Sequence, residues 1–327
     1  MRKHARTRSS NPGSAGHVVA VDIGGSNLRV ALADTKGRIL GKFADSTTRK
    51  SSPKMLAKQI QNGVSQLLGQ TEVPRTSLLA IAAGAAGVTN RDAGVVFATS
   101  YLKGWKNVPL AHLLESALHV PAVVENDVKL AAIGEHWIGV ARGIPDFVFL
   151  AIGTGIAAGI FVNGKLIHGP EWVAGEVGYL IVPGTPEESS RRGTPGSLEK
   201  MIGGKGIMRT LLQSCDRASA LALGSLTATE IFDLAVAGDC RAQTLLERAA
   251  RILAYAIHNV SCVLNSSLFV LGGGVGTNKA LLAATQRILE PYTQPSRPKL
   301  VISSLGQDAQ LIGAVRVALD KAGVHSG

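Results

Sequence analysis

The sequence predicts an α/β protein of two lobes around a cleft, built by duplication, and a repeated pattern carries that prediction. Val18-Val19-Ala20-Val21 runs into Asp22-Ile23-Gly24-Gly25-Ser26-Asn27, and Leu28-Arg29-Val30-Ala31-Leu32 leads out. Phe147-Val148-Phe149-Leu150 likewise runs into Ala151-Ile152-Gly153-Thr154-Gly155, followed by Gly159-Ile160-Phe161-Val162. Both copies close on turn residues, at Asp34-Thr35-Lys36-Gly37-Arg38 and at Asn163-Gly164-Lys165. Two strand–glycine turn–strand hairpins, one per half, imply a duplicated domain. Size agrees: 327 residues, 46% of them hydrophobic, suffice for two cores.

The first domain is expected to begin near His17 with three strands, the third near Ile39–Ala44. Pro53 to Leu68 has helical spacing, with Met55, Ile60, Val64, Leu67 and Leu68 on a shared face and proline at the start. Leu78–Ala83 reads as a strand broken by Gly84-Ala85-Ala86-Gly87, and Leu110–Leu118 as a short helix. The apolar strand Pro121-Ala122-Val123-Val124 delivers Glu125-Asn126-Asp127 at its carboxyl end, where open α/β sheets bind ligands. Asp127 also suits the N-cap of the following helix, Val128 to Val140, so two readings stand for it.

The second domain is expected from about residue 141. After its hairpin come Gly175-Glu176-Val177-Gly178-Tyr179 and a polar excursion from Pro183 to Gly196, long enough to be functional or mobile. A helix resumes at Leu198-Glu199, breaks at Gly203-Gly204, and three helical segments reach about Asn265. Leu268-Phe269-Val270-Leu271 is a strand opening into Gly272-Gly273-Gly274-Val275, and Ala309 to Lys321 is helical.

Glycine bends leave backbone N–H groups to cradle an anion, and a carboxylate ending the first strand can hold Mg²⁺, directly or through water. Gly-Gly-Ser-Asn is also ordinary hairpin chemistry. Two such turns facing one cleft suit a nucleoside triphosphate. Gly153-Thr154-Gly155-Ile156-Ala157-Ala158 fits the dinucleotide pattern G-x-G-x-x-A, but that fingerprint needs a helix where this chain continues as a hairpin.

Composition narrows the function further. Of the net charge of +11, four units sit on Arg2, Lys3, Arg6 and Arg8. Nucleic-acid binding is one reading of such a balance. With only 4% aromatic residues and no basic–aromatic interleaving, no nucleic-acid partner is expected. A surface suited to anionic substrates, or no functional meaning, fits better. Cys215, Cys240 and Cys262 are far apart, against both a disulfide framework and a cysteine zinc site, and read as small core residues in a reducing cytoplasm. No apolar run approaches the roughly 20 residues that span a bilayer, so no membrane association is expected. Residues 1–16 lack an apolar signal core and read as a disordered basic tail.

These pieces in this order resemble the ROK family of sugar kinases and repressors, within the actin/hexokinase superfamily, over nearly the whole chain after the tail. Val-Asp-Ile-Gly-Gly-Ser-Asn (21–27) is similar to the family's first phosphate motif, Gly-Thr-Gly (153–155) to its second, and Leu-Gly-Gly-Gly-Val (271–275) to its adenosine motif. Leu-Lys-Gly-Trp-Lys-Asn-Val-Pro-Leu (102–110), Glu-Asn-Asp (125–127), Gly-Glu-Val-Gly (175–178) and Ser-Ser-Leu-Gly-Gln-Asp-Ala (303–309) match further family segments.

The resemblance implies a two-lobed actin-like ATPase fold of the ribonuclease H-like kind. Its lobes would span 17–128 and 129–305, with a helix in 306–327 packing back on the first. It implies phosphorylation of a hexose 6-hydroxyl by ATP with Mg²⁺, Asp127 accepting the hydroxyl proton and Asp22 holding the metal, directly or through water. Asn126, Glu176, Tyr179, Glu199, Gly87 and Ser100 would bind the sugar. Gly24, Gly25, Ser26, Asn27, Gly153, Thr154, Gly155, Gly272, Gly273 and Gly274 would bind the nucleotide. Glu199 also reads as a helix-start charge favoured by the helix dipole. A cytoplasmic homodimer is the family expectation.

The chain departs from the family pattern at its zinc motif. Tyr179 stands at the position of the family histidine, and Arg191 to Glu199 keeps Gly193, Gly196, Leu198 and Glu199 without a cysteine. No zinc is expected without thiolate or imidazole ligands. Pro186 and Pro195, or a second subunit, would hold the loop instead. Since the family histidine contacts the sugar near C1 and C2, Tyr179 bears on substrate choice. Glucose is the first expectation, followed by N-acetylated hexosamines, mannose or fructose. A repressor of the same fold would need an N-terminal helix-turn-helix, for which sixteen polar residues are too short. A non-catalytic sugar-binding protein is the other alternative.

Overall fold

Strands whose sequence is apolar at every position are covered on both faces here, as parallel sheets require. The computed structural model describes residues 16–47, 52–99, 102, 104–187, 194–213, 226–292 and 298–324. The basic tail before residue 16, Ser100, Arg191 to Gly193 and Cys215 lie outside the described residues. β1 (His17–Ile23) is buried throughout. It pairs antiparallel with β2 (Asn27–Asp34) and parallel with β4 (Leu78–Ala85). With β3 (Ile39–Ser46) and β8 (Ala122–Asn126) they form a five-stranded sheet ordered β3-β2-β1-β4-β8.

The second sheet repeats this plan. β9 (Phe147–Ile152) and β10 (Ile156–Val162) form the hairpin, β11 (Lys165–Leu166) extends it, and β12 (Leu268–Gly272) and β13 (Lys299–Ile302) run parallel to β9, in the order β11-β10-β9-β12-β13. The two-lobed α/β architecture read from the glycine turns is therefore present in the strand order itself. A small sheet, β5 (Val88–Asn90), β6 (Val95–Ala98) and β7 (Lys106–Val108), was not legible in the sequence because its strands are too short for a periodic signal.

The helices among the described residues are α1 (Pro53–Gln70), α2 (Leu110–Leu118), α3 (Asp127–Trp137), α4 (Ser197–Ile202), α5 (Gly204–Gln213), α6 (Ala228–Val236), α7 (Cys240–Leu264), the single turn α8 (Gly273–Gly276), α9 (Lys279–Leu289) and α10 (Ala309–Lys321). None is long and apolar enough to cross a membrane. Ser52 caps α1, accepting from Met55 N at 3.2 Å, and Pro53 occupies the first turn where its missing N–H costs nothing.

α3 joins the two sheets. Its Leu130 packs in one cluster with Val18, Ala20, Ala82, Leu311 and Ala314. Its Ala131 and Ala132 pack in another with Phe147, Phe149 and Phe161. α10 crosses α3 with backbones in contact: a Cβ on Gly313 would stand 1.8 Å from Leu130 O, and one on Gly134 would stand 2.5 Å from Ala309 O. Glu135, fully buried on α3, accepts from Val140 N (2.9 Å), Leu305 N (3.1 Å) and Ser303 Oγ, which fastens the segment after β13 to the helix.

Several local expectations need correction. Met55 is 65% exposed, and Leu56 takes the core position, because a step of one residue turns a helical side chain by about 100°. β4 does not break at Gly84; both Gly84 and Ala85 stay in register with β1 and β8, and Gly84 is required because Leu130 Cδ1 would lie 2.7 Å from a Cβ there. Cys240 and Cys262 are exposed rather than core residues, on the solvent side of α7, where Cys262 Sγ lies 3.6 Å from His258 Nε2.

Candidate active site

The carboxyl ends of β1 and β8 lie two strands apart in one sheet and carry Asp22 and Asp127 at the same edge. Asn126, not Asp127, caps α3: its Oδ1 accepts from Lys129 N at 3.0 Å while its Nδ2 donates to Gly87 O at 3.0 Å. Asp127 is thereby the first helical residue, with Oδ1 accepting from its neighbour Val128 N at 2.9 Å. Gly87 reaches this position with φ +111°, and a Cβ would stand 2.2 Å from Ala98 O, so backbone alone fits.

Burial pushes the Asp127 carboxyl up to about 7, reinforced by the charge of Asp22 and, less, by Glu176. Its side chain nonetheless keeps part of its surface open. Asp22 is also raised, chiefly by burial, against the pull of Arg29. Arg29 donates to the same oxygen, Asp22 Oδ2, from Nε (3.0 Å) and Nη2 (2.7 Å), and to Gln307 O from Nη1. Among the described residues nothing donates to Asp22 Oδ1. A single carboxylate fits Mg²⁺, which takes most of its ligands from phosphates and water. Among the described residues no group of three or more His, Cys, Asp or Glu could hold a metal by protein ligands alone.

Glu176 comes from the opposite lobe, on a turn of left-handed backbone: Gly169 (φ +73°), Trp172 (+63°) and Gly175 (+94°). A Cβ on Gly175 would stand 2.0 Å from Ala158 O, and Gly175 O accepts from Ala158 N at 2.7 Å. Glu176 and Glu199 are both raised, chiefly by burial. Glu199 sits in the first turn of α4 and also accepts from Ile156 N at 3.2 Å through Oε2, so it serves the helix start and ties α4 to β10. Tyr179, 43% exposed, donates from its hydroxyl to Thr194 O at 3.1 Å. Gly196 lies against Gly178, where a Cβ would stand 2.1 Å from Gly178 O. These contacts hold the near end of the loop whose zinc ligands are missing.

The two glycine turns are tight. Gly24 N donates to Asn27 O (2.8 Å) and Gly153 N to Gly155 O (2.9 Å). The N–H groups of Gly25, Ser26, Thr154 and Gly155 find no acceptor among the described residues, as an anion cradle requires. Asn27, Gly153, Thr154, Gly274, Lys205, Arg209 and Gln307 line one open cleft of about 1260 Å³. Gly273 (φ +78°) packs on Ile152 O, 2.5 Å from where a Cβ would be, and Gly272 against the Phe149 ring. Sequence reasoning missed Arg29, Lys205, Arg209 and Thr47, whose Oγ1 donates to Gly24 O at 2.8 Å; no spacing distinguishes them from surface residues.

The sequence profile of the ROK family matches residues 18–321. The chain belongs to the ROK family. Among its ROK relatives, a glucokinase of Halalkalibacterium halodurans is 31% identical over 306 residues, covering 90% of this chain and 92% of that protein. An N-acetylmannosamine kinase of Escherichia coli is 29% identical, covering 90% of this chain and 96% of its own. A solved ROK glucokinase of Streptomyces griseus, in complex with glucose and AMPPNP, superposes with a TM-score of 0.77 at 26% identity, covering 93% of this chain and all of that one. The two-lobed actin-like fold implied by the resemblance is thus the fold of this ROK chain.

Proposed function

We propose that the protein transfers the γ-phosphoryl group of ATP to the 6-hydroxyl of a hexose, with glucose as the preferred acceptor. One observation carries the reading: Asp127 begins a helix between the two glycine turns, and its proton affinity responds to Asp22 on the donor side and Glu176 on the acceptor side. A carboxyl brought to about 7 is matched to taking a hydroxyl proton near neutrality.

As the C6 oxygen bonds to the γ-phosphorus, its proton passes to Asp127 and the bond to the β–γ bridging oxygen breaks, releasing ADP. Asn126, Glu176 and Glu199 would orient the sugar hydroxyls, with the backbone of Gly87 closing one side. Gly25, Ser26, Thr154 and Gly155 N–H groups, with Lys205 and Arg209, would hold the triphosphate, and Gly272 to Gly274 the nucleoside. Mg²⁺ held by Asp22, directly or through water, would neutralise developing charge on the phosphates. Lobe closure would exclude water from the reaction.

Tyr179, tied to Thr194, stands where the resemblance puts a contact near C2, and its ring would favour a small substituent there. The kinship with N-acetylmannosamine kinases is the specific ground for the second reading, an N-acetylhexosamine acceptor. ADP release with Mg-ATP across glucose, mannose, fructose, N-acetylglucosamine and N-acetylmannosamine decides between them. Turnover on glucose, lost in Asp127→Asn, is the expected result. Sugar binding without turnover on any of the five would overturn the kinase reading.

A further inference from the structure

Lys129 is 3% exposed, two residues along α3 from Asp127. Residues i and i+2 of a helix point to different sides, so the Asp127 carboxyl and the Lys129 ammonium leave α3 in different directions. Its Nζ donates to Trp172 O at 3.1 Å, on the left-handed turn that ends in Glu176. Burying a cation for a single carbonyl bond is costly, and desolvation indeed lowers its proton affinity. What offsets that cost is charge: Glu125 and Glu176 both favour the ammonium, and Lys129 in turn favours ionised Glu176.

The two acids are not equivalent. Glu125 already has Nε2 of His168 at 2.8 Å and Arg91 Nη1 at 3.5 Å, and its other oxygen accepts from Asn126 N at 2.8 Å. Glu176 makes no ion pair among the described residues, and Lys129 is the cation whose charge reaches it. Among the described residues one of the three ammonium donors is used, on Trp172 O of the turn that carries Glu176.

We propose that Lys129 is a positioning residue of the acceptor site: its buried ammonium, bound to the Trp172 carbonyl, fixes Glu176 of one lobe relative to Asp127 of the other. The acceptor is thereby gripped from one side and deprotonated from the other by groups on a single brace. This rests on the sugar-kinase reading above.

The test is a double-mutant cycle of Lys129→Met and Glu176→Gln on the full chain, reading KM for sugar, KM for ATP and kcat. Lys129→Met is expected to raise the sugar KM about tenfold or more, with ATP KM unchanged and kcat lowered less than the sugar KM rises. On the Glu176→Gln background it should add little, because the two act through one interaction. Lys129→Gln, which keeps a donor for Trp172 O without the charge, guards against a folding defect and should reproduce the sugar KM effect. An unchanged sugar KM, or additive effects in the cycle, would overturn the proposal. Absence of turnover in the unmutated protein on every sugar would instead remove the kinase reading beneath it.

Discussion

Arg29 places two donors on one oxygen of Asp22, Nε at 3.0 Å and Nη2 at 2.7 Å, and among the described residues the other oxygen of that carboxylate has no donor. The pair fixes a β1 acid with a β2 cation across the hairpin, Asp22 standing opposite Arg29 in register. Arg29→Met should loosen Asp22 and remove the tie to Gln307. Partial exposure of Arg29 limits the stability loss to about 1–2 kcal/mol in urea melts. The Mg²⁺ concentration for half-maximal activity should rise, as a metal titration of the rate would show.

Asp127 predicts opposite effects on activity and stability. Asp127→Asn should lower kcat by about 10²–10⁴-fold. Its folded pKa is raised to about 7 from 3.8, so the native state favours the neutral acid. The stabilising contribution is complete below pH 3.8 and is lost as pH rises through about 7. The amide of the variant stays neutral at every pH, so Asp127→Asn should raise the melting temperature most at pH 8, less at pH 5, and little below pH 3.8. With the open edge discounted, the gain at pH 8 is about 1–2 kcal/mol.

The same shift sets the acid limb of the rate. Since the ionised form accepts the proton, kcat/KM for the sugar should climb with pH through about 7 and level off above it. A limb centred near the ordinary carboxylate range would contradict the assignment of the base.

The α3–α10 crossing predicts a purely structural lesion. Gly313→Ala would drive a methyl to within 1.8 Å of Leu130 O, a backbone atom that cannot rotate away. A loss of about 3 kcal/mol is expected in chemical denaturation, at the upper end of overpacking effects. Wild-type stability in Gly313→Ala would mean that α10 stands farther from α3.

Tyr179→Phe removes the hydroxyl that donates to Thr194 O and keeps the ring. Because the ring is 43% exposed, the stability cost should be small, about 0.5 kcal/mol in thermal melts. The informative readout is the ratio of kcat/KM values for glucose and N-acetylmannosamine, which should fall as the loop end is freed.

What the sequence determined by itself is what local patterning encodes. Continuous apolar runs ending in Gly24-Gly25 and Gly153-Thr154-Gly155 are sufficient to specify two buried strand hairpins, and their recurrence specifies the duplicated sheet order. Ala309 to Lys321 was legible as a helix from spacing alone. Other features required the tertiary structure, because they depend on which distant residues meet. Asn126 rather than Asp127 caps α3, a choice settled by Asn126 bonding both Lys129 N and Gly87 O. Cys262 is exposed because of the face of α7 it occupies. The raised Asp127, the Arg29 clasp on Asp22 and the buried Lys129 under Glu176 share one physical cause. Each is an electrostatic consequence of burial in a low dielectric beside charges carried by other elements, and only chain folding creates that proximity.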